Sequence, residues 1–299
     1  MNEALVLVNA TAGGGRAGRA WQGVARYAEG LAAIRVVAPE GRAASEAAVR
    51  EAVRAGCPRV VVVGGDGTVH LVVNALLAAG GGEHVTLGVV PMGTGCDLAR
   101  ALRIPGDLHA ALRRAILGPP TPLDAGQCRG PSGTFYFVNV ASAGIGGLVD
   151  EKVNAMPQRG RTAFLCATLA ALRHYRPVPL RVEVDGASWS ECPVLLIAVA
   201  NGTTFGRGMR IAPRARPDDG AFDVVLVGEV RGTELLLRLP QVYLGKHLGA
   251  RPVRQCRARI VRIEPLAPLP AFDADGETYA SGPATFEVLA SALRIAGDE

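Results

Sequence analysis

Apolar positions in the first third of the chain fall into short runs separated by stretches with helical spacing. Leu5–Val8 is the first run, followed by a glycine-rich turn and a helical stretch around Trp21–Ala28. Ile34–Ala38 reads as the next strand and Ala43–Ala55 as the next helix. Val60–Val63 is an unbroken β-branched run, the pattern of a strand buried on both faces. A helix over Thr68–Ala79 and a strand over Thr86–Val90 complete the series. Strands alternating with helices predict a doubly wound, Rossmann-like parallel sheet, on which ligands bind at the carboxyl ends of the strands.

The segment Leu117–Pro122, rich in proline, ends this alternation and places a domain boundary near residue 125. Beyond it strand patterns dominate: Phe135–Val140, Leu180–Val184, Val194–Ala200, Phe222–Val227, Arg259–Glu264 and Thr285–Leu289. Helical stretches at Thr162–Tyr175 and Thr233–Leu244 interrupt them. The expectation is an α/β domain over 1–125 and an antiparallel β-sandwich over 126–290. An edge strand of the β-rich domain would allow two copies to pair as a homodimer.

Composition narrows the chemistry. The 299 residues are comfortable for two domains, and a hydrophobic content of 49% can fill their cores. The net charge of +5 is almost all arginine, since Lys152 and Lys246 are the only lysines. Such a balance suits nucleotide phosphates or an anionic membrane face. No block of like charges is present, so nucleic acid is not favoured. The six cysteines form no CxxC pair and read as reduced core residues rather than a disulfide frame or zinc site. The five histidines show no ligand spacing. The N-terminus runs straight into a strand pattern, and no apolar run approaches the ~18 residues of a membrane span, so a cytoplasmic location is expected. A lipid substrate would require peripheral visits to the membrane.

Three glycine turns stand out. Gly64-Gly65-Asp66-Gly67-Thr68 follows one buried strand and precedes a helix, the order a phosphate site needs. Asp66 beside phosphates would have to hold a metal, a water or a ribose hydroxyl; the plain alternative is a helix cap. Pro91-Met92-Gly93-Thr94-Gly95-Cys96-Asp97 follows the next strand, and two such turns on neighbouring parallel strands would lie side by side. The turn from Asn9 to Gly18 contains GxGxxG at Gly13, Gly15 and Gly18, with Glu40 downstream, which keeps a dinucleotide-dependent oxidoreductase open as an alternative. No lysine precedes Lys152, so no P-loop lysine exists in the first half; backbone N–H groups, metal and Arg16 or Arg19 would meet the phosphate charge.

The second half carries Asn201-Gly202, Gly206–Pro213, and Arg216-Pro217-Asp218-Asp219-Gly220. Adjacent aspartates there suit either a hard cation or a solvated turn. Asp273-Ala274-Asp275-Gly276-Glu277 supplies a carboxylate, Glu277, suited to accept a hydroxyl proton; a charged hairpin tip is the plainer alternative. The stretch Thr162–Tyr175 bears Phe164, Leu165, Leu169 and Leu172 bracketed by Arg159, Arg161, Arg173 and Arg176. It reads as core, with a lip that docks on a transient anionic membrane surface as the functional alternative.

In this order the motifs resemble the diacylglycerol kinase catalytic-domain family, which includes bacterial lipid kinases, sphingosine kinases and ceramide kinases. The matching segments are Gly64–Thr68, Pro91–Arg100, Asn139–Gly146, Ala200–Val224 and Asp273–Glu277. The resemblance implies a nucleotide domain and a β-sandwich with the active site in the cleft between them, and a last strand, near 290–299, that returns to the first domain. It implies that Asn9, Ala10, Thr11, Ala12 and Gly13, Gly64 to Thr68 (Gly64, Gly65, Asp66, Gly67, Thr68), and Gly93, Thr94 and Gly95 bind ATP. Asp66 would sit in the catalytic cleft and Glu277 would be the general base. Asp219, with the carbonyls of Arg216 and Ala221, would hold a structural Mg2+, and a second Mg2+ would come with ATP. The implied reaction phosphorylates a membrane-derived lipid alcohol, foremost diacylglycerol, with sphingosine, ceramide or monoacylglycerol as alternatives. Cys96 stands where the family usually has Asn, His70 and Leu71 where Asn-Glu is common, and Gly147 where an acidic residue is common. These departures keep a lipid- or nucleotide-binding regulatory protein as a further alternative, beside a kinase for a soluble acceptor.

Overall fold

The computed structural model describes residues 3–154, 170, 171, 175–230, 238 and 240–298. Most of the stretch 162–175, with Arg159, Arg161 and Arg173 of the expected lip, lies outside the described residues, as does the start of the stretch 233–244. The chain divides into two compact units, Met1–Ala125 with Ala290–Glu299, and Gly126–Leu289.

The first unit alternates β1 (Ala4–Val8), α1 (Ala12–Leu31), β2 (Ile34–Val37), α2 (Gly41–Arg54), β3 (Arg59–Gly64), α3 (Asp66–Ala78), β4 (Thr86–Pro91), α4 (Asp97–Ala101) and α5 (Leu108–Leu117). β1 pairs in parallel with β2 and β3, and β3 in parallel with β4. Side chains alternate across a strand, so Val6, Val8, Val61, Val63 and Val90 meet Val24 and Ala28 of α1 and Ala111, Leu112, Ala115 and Ile116 of α5 on one face. Leu5, Leu7, Val60 and Val62 point the other way and are equally buried, which accounts for the all-apolar runs. α5 begins at Asp107, whose carboxylate accepts from the Ala110 N–H at 2.8 Å.

Two features of this unit differ from the sequence reading. Helix α1 starts at Ala12 rather than near Trp21, because Gly13, Gly14 and Gly15 form a left-handed kink at φ 61°, 70° and 82° before the regular helix. The proline-rich break contains the start of strand β5 (Pro120–Gly130), with a proline at its first residue, where no N–H is needed.

The last strand, β15 (Ala284–Ala296), ends in the first unit, where Arg294 and Ile295 pair in parallel with Thr86 and Leu87 of β4. Side chains hold it there. Asp124 accepts from the Ser291 N–H at 2.7 Å, Thr121 Oγ1 donates to the Ile295 carbonyl at 3.0 Å, and Arg114 Nε donates to the Ala296 carbonyl at 3.0 Å.

The second unit contains β6 (Gly133–Phe137), β7 (Val140–Gly144), α6 (Ile145–Asn154), β8 (Val178–Val184), β9 (Ala187–Ala200), β10 (Phe222–Gly228), β11 (Val253–Ala258), β12 (Ile260–Pro265), β13 (Phe272–Ala274) and β14 (Glu277–Tyr279). Its strands run β14-β13-β7-β9-β8-β12-β15, with β10 and β11 joined at β9 and β6 paired to β5. Among the described residues, the pairings of these strands are antiparallel. Phe137, Phe222, Phe272 and Phe286 form the aromatic centre of the unit, with ring centroids 5.6 to 6.2 Å apart.

The single strand expected over Phe135–Val140 is two strands. The chain breaks at Val138 and Asn139 because the Asp275 carboxylate takes the N–H groups of Val138, Asn139 and Val140 at 2.9, 3.0 and 3.1 Å. Asn139 is further fixed by donating Nδ2 to the Thr204 carbonyl at 2.6 Å.

Candidate active site

The carboxyl ends of β1, β3 and β4 carry the three glycine turns, and the first unit packs them together. A Cβ on Gly65 would lie 3.0 Å from the Gly93 Cα, and one on Gly93 would lie 2.5 Å from the Gly65 Cα. Only glycine at both positions lets the second and third turns touch. A Cβ on Gly13 would lie 2.6 Å from the Met92 carbonyl oxygen, so the first turn meets the third as closely.

Asn9 joins the first turn to the second. Its Oδ1 accepts from Thr11 N–H at 3.2 Å and from Thr11 Oγ1 at 2.8 Å, which forces its Nδ2 toward Thr68 Oγ1 at 2.8 Å. Thr68 Oγ1 therefore accepts from Asn9, and its own proton is available to another acceptor. Gly65 precedes α3, and the first-turn amides of Asp66 and Gly67 have no carbonyl upstream within the helix.

Arg16 Nε donates to the Gly13 carbonyl at 3.0 Å, and an Arg19 nitrogen lies 3.1 Å from where a Gly15 Cβ would be. Two guanidinium groups thus flank the first turn, where no lysine exists. This donor set fits a nucleotide's phosphates: small backbone turns, helix-start amides, a hydroxyl and two fixed-charge cations. Thr94 is exposed on the third turn beside Gly93 and Gly95, and Ala10 and Ala12 flank Thr11 on the first.

The departures have physical consequences. Cys96 adopts a left-handed conformation, φ 53°, which Asn tolerates better than Cys. Burial first, then the Asp66 carboxylate, push the Cys96 thiol up to about 11, so it is protonated at neutral pH and no nucleophile. His70 is buried within α3, where Asn74 Nδ2 lies 3.3 Å from its Nε2, and Leu71 is buried beside it. Gly147 has no room for an acidic side chain, because a Cβ there would lie 2.1 Å from the Ala271 carbonyl oxygen.

Glu277 and Asp219 belong to the second unit. Glu277 opens β14 directly after a two-residue turn, Asp275-Gly276, with φ 53° and 87°. Positive φ at both central residues is the type I′ hairpin, which matches the twist of the flanking strands. The Asp275 side chain anchors this hairpin to the start of β7, as described above, so the segment bearing Glu277 has little freedom. The spacing of DADGE points to Glu277 and leaves Asp275 out; the Asp-Gly pair is the signal for the turn.

The Asp219 carboxylate is already engaged by a cationic side chain. Asp219 Oδ2 accepts from Arg257 Nη2 at 2.5 Å and its Oδ1 from the Ala221 N–H at 3.3 Å, while the Arg216 side chain faces Asp218 at 3.5 Å. A metal on this single carboxylate would first have to displace a guanidinium. Asp223 stands nearby, its carboxyl raised by burial, with Arg257 acting in the opposite sense. Among the described residues, no group of three or more His, Cys, Asp or Glu side chains is placed to hold a metal ion. Arg257 carries no signal in the sequence that would link it to Asp219.

The chain is similar to known proteins along nearly its whole length. Residues 3–128 match the diacylglycerol kinase catalytic domain, and residues 139–297 match the YegS C-terminal NAD kinase beta sandwich-like domain. A diacylglycerol kinase of Mycobacterium tuberculosis is 31% identical over 97% of this chain and 93% of its own. A diacylglycerol kinase of Bacillus subtilis is 30% identical over 74% of this chain and 70% of its own. Among solved structures, a diacylglycerol kinase from Bacillus anthracis superposes with a TM-score of 0.76 at 20% identity, covering 99% of this chain and 97% of the other. An NAD kinase from Archaeoglobus fulgidus in complex with ATP superposes with a TM-score of 0.56 at 14% identity, over 100% and 94% of the two chains. With both halves matched and relatives aligned along nearly the whole length, the chain belongs to the diacylglycerol kinase catalytic-domain family.

Proposed function

We propose that this protein is an ATP-dependent lipid kinase that phosphorylates the hydroxyl of a membrane lipid, with diacylglycerol as the acceptor and phosphatidic acid as the product. The observation that carries the reading is the mutual packing of the Asn9–Gly13, Gly64–Thr68 and Gly93–Gly95 turns, closed by the Asn9–Thr68 hydrogen bond. Two curated relatives are named diacylglycerol kinase, which supports the choice of acceptor. Kinship with that family displaces the oxidoreductase alternative built on Gly13, Gly15, Gly18 and Glu40.

ATP supplies the phosphoryl group. The chain's own residues bind and orient it: the helix-start amides of Asp66 and Gly67 and the Thr68 hydroxyl donate to phosphate oxygens, and Arg16 and Arg19 balance their charge. Glu277 accepts the proton of the lipid hydroxyl, and the Asp275 anchor holds Glu277 in place for that transfer. A magnesium ion would come with the nucleotide, and a separate structural cation at Asp219, with the Arg216 and Ala221 carbonyls, would share that carboxylate with Arg257. Among the described residues no helix is long and apolar enough to cross a membrane, which fits an enzyme that visits a lipid surface. We place the reaction in the cytoplasm, where ATP is supplied.

The test is transfer from γ-labelled ATP with magnesium to a panel of micellar lipid alcohols, wild type beside Glu277→Ala. Label in diacylglycerol that falls by about two to four orders of magnitude in Glu277→Ala supports the reading. Label in another lipid alcohol alone corrects the acceptor. ATP binding without label in any lipid overturns it.

A further inference from the structure

Lys246, one of only two lysines, stands on a turn far in sequence from every glycine motif. Helical residues 240–243 end there in a capped terminus: the Lys246 N–H bonds the Gln241 carbonyl at 2.8 Å and the Gly245 N–H bonds the Val242 carbonyl at 3.0 Å. Gly245 takes the left-handed conformation, φ 67°, that this cap needs. A Cβ on Gly245 would lie 3.0 Å from the Pro213 side chain, so the turn is packed on the loop that precedes Arg214. His247 is buried below it with Nε2 at 3.1 Å from the Ile211 carbonyl oxygen, and the Arg210 N–H bonds the Val242 carbonyl at 3.1 Å. The turn is therefore held firmly from beneath.

What it presents outward is unusual. Leu244 is 61% exposed, more than the other exposed large hydrophobics of the described residues. Arg210, Arg214 and Lys246 are all exposed; the Arg210 Cβ would lie 3.6 Å from a Cβ on Gly245, the residue next to Leu244. A shallow pocket of about 380 Å³ opens here, lined by Pro213, Arg214, Gly245, Lys246, Leu248 and Gly249: two cations, apolar surface and, among the described residues, no acid. A site for a free anion would have no use for an exposed leucine. An exposed apolar anchor on a turn with long cationic side chains nearby is complementary to the headgroup layer of an anionic bilayer, where the leucine enters the acyl boundary and the cations stay at phosphate level.

We propose that the Leu244–Gly249 turn with Arg210 and Arg214 is a docking surface for an anionic phospholipid bilayer. The inference rests on the reading that the acceptor is a membrane lipid. It places the docking face on residues other than the 159–176 stretch considered from the sequence. Neutralising one cation near an anionic surface weakens partition about fivefold, so two together weaken it about twenty-five-fold.

The experiment is co-sedimentation with vesicles of phosphatidylcholine alone and of phosphatidylcholine with phosphatidylglycerol. Wild type, Leu244→Ser and the pair Lys246→Gln with Arg214→Gln are compared, each checked for an unchanged melting temperature. The expected result is wild-type binding to the anionic vesicles only. The charge pair lowers it by about the factor above, and Leu244→Ser lowers it while keeping its salt dependence. Transfer to a short-chain, water-soluble diacylglycerol stays at the wild-type rate in both variants. Equal vesicle binding by the variants, or none by wild type, overturns the proposal. So does loss of vesicle binding on adding inorganic phosphate at constant ionic strength, which would mark a discrete phosphate site. If lipid in detergent micelles is phosphorylated while vesicle binding ignores these residues, this surface fails and the kinase reading stands. If vesicle binding behaves as stated while no lipid is phosphorylated, the docking surface stands and the kinase reading fails.

Discussion

Asn9 donates its Nδ2 hydrogen to Thr68 Oγ1 across 2.8 Å, and the two Thr11 contacts to its Oδ1 leave the amide no other orientation. Asn9 therefore decides where the Thr68 proton points. Asn9→Leu is expected to raise KM for ATP about tenfold, the worth of one good hydrogen bond plus an unsatisfied neighbour, with a smaller change in kcat. Asn9→Asp places a carboxylate against Thr68 and beside the phosphates, and its effect is larger. Steady-state kinetics over a range of ATP concentrations measures both; a wild-type KM in Asn9→Asp would remove Asn9 from the nucleotide site.

Asp275 holds three backbone N–H groups with one carboxylate, next to the residue proposed as base. Asp275→Asn keeps the size but loses the charge and one acceptor oxygen. The expected outcome is a loss of about 2 kcal/mol in stability. A fall in kcat with KM for ATP unchanged should accompany it, because the turns proposed to bind ATP lie in the other unit. Chemical denaturation and kinetics on the same preparation separate the two effects. A stability loss with kcat untouched would leave Asp275 a purely structural anchor.

The Arg257–Asp219 pair makes a prediction about metal dependence. Thermal melts of the wild-type protein without nucleotide are expected to be the same with magnesium and with chelator. Arg257→Ala uncovers the Asp219 carboxylate and is expected to make Tm rise with magnesium concentration where the wild type's does not. A wild-type protein that melts lower in chelator would show that a cation takes precedence over the guanidinium.

Three thiols are raised by burial, Cys96 and Cys256 to about 11 and Cys128 to about 12, from an ordinary value of 9.0. The folded state thus keeps protons that the unfolded chain gives up. This contribution to stability is complete below about 9 and is lost as pH rises through about 11 for Cys96 and Cys256 and about 12 for Cys128. Site-resolved alkylation by mass spectrometry should find Cys96 slow at neutral pH. On the acid side His247 acts in the opposite sense: burial lowers its pKa from 6.5, so its neutral form stabilises the fold above that value and the benefit fades as pH falls through the lowered pKa. Cys96→Asn should also relieve the left-handed strain and stabilise the protein by about 1 kcal/mol. Rapid Cys96 alkylation at pH 7 would contradict the buried, acid-flanked setting.

What is legible in the sequence follows from how local the determinants are. Four buried valines and a glycine turn are enough to write β3 and the start of α3, because the strand's hydrophobic faces and the turn's close approach depend on neighbouring residues. The break between β6 and β7 is not legible, since the residue that takes the Asn139 amide is 136 positions away. Arg257, 38 positions from Asp219, is hidden for the same reason. The meeting of the glycine turns can be anticipated from strand order, but the role of Asn9 in aiming a hydroxyl emerges only when its two other hydrogen bonds are seen.

The strand β15 has a consequence for how the chain is made. The first unit is discontinuous: residues 290–299 complete it, and they leave the ribosome only after the entire second unit. Until Arg294 and Ile295 arrive beside Thr86 and Leu87, the β4 edge of the nascent sheet lacks its final neighbour. The glycine turns are thus among the first segments synthesised, yet their supporting sheet is among the last to close. Completion of the sheet beneath the glycine turns is tied by topology to translation of the second unit, so a chain arrested midway would carry those turns without the finished sheet beneath them.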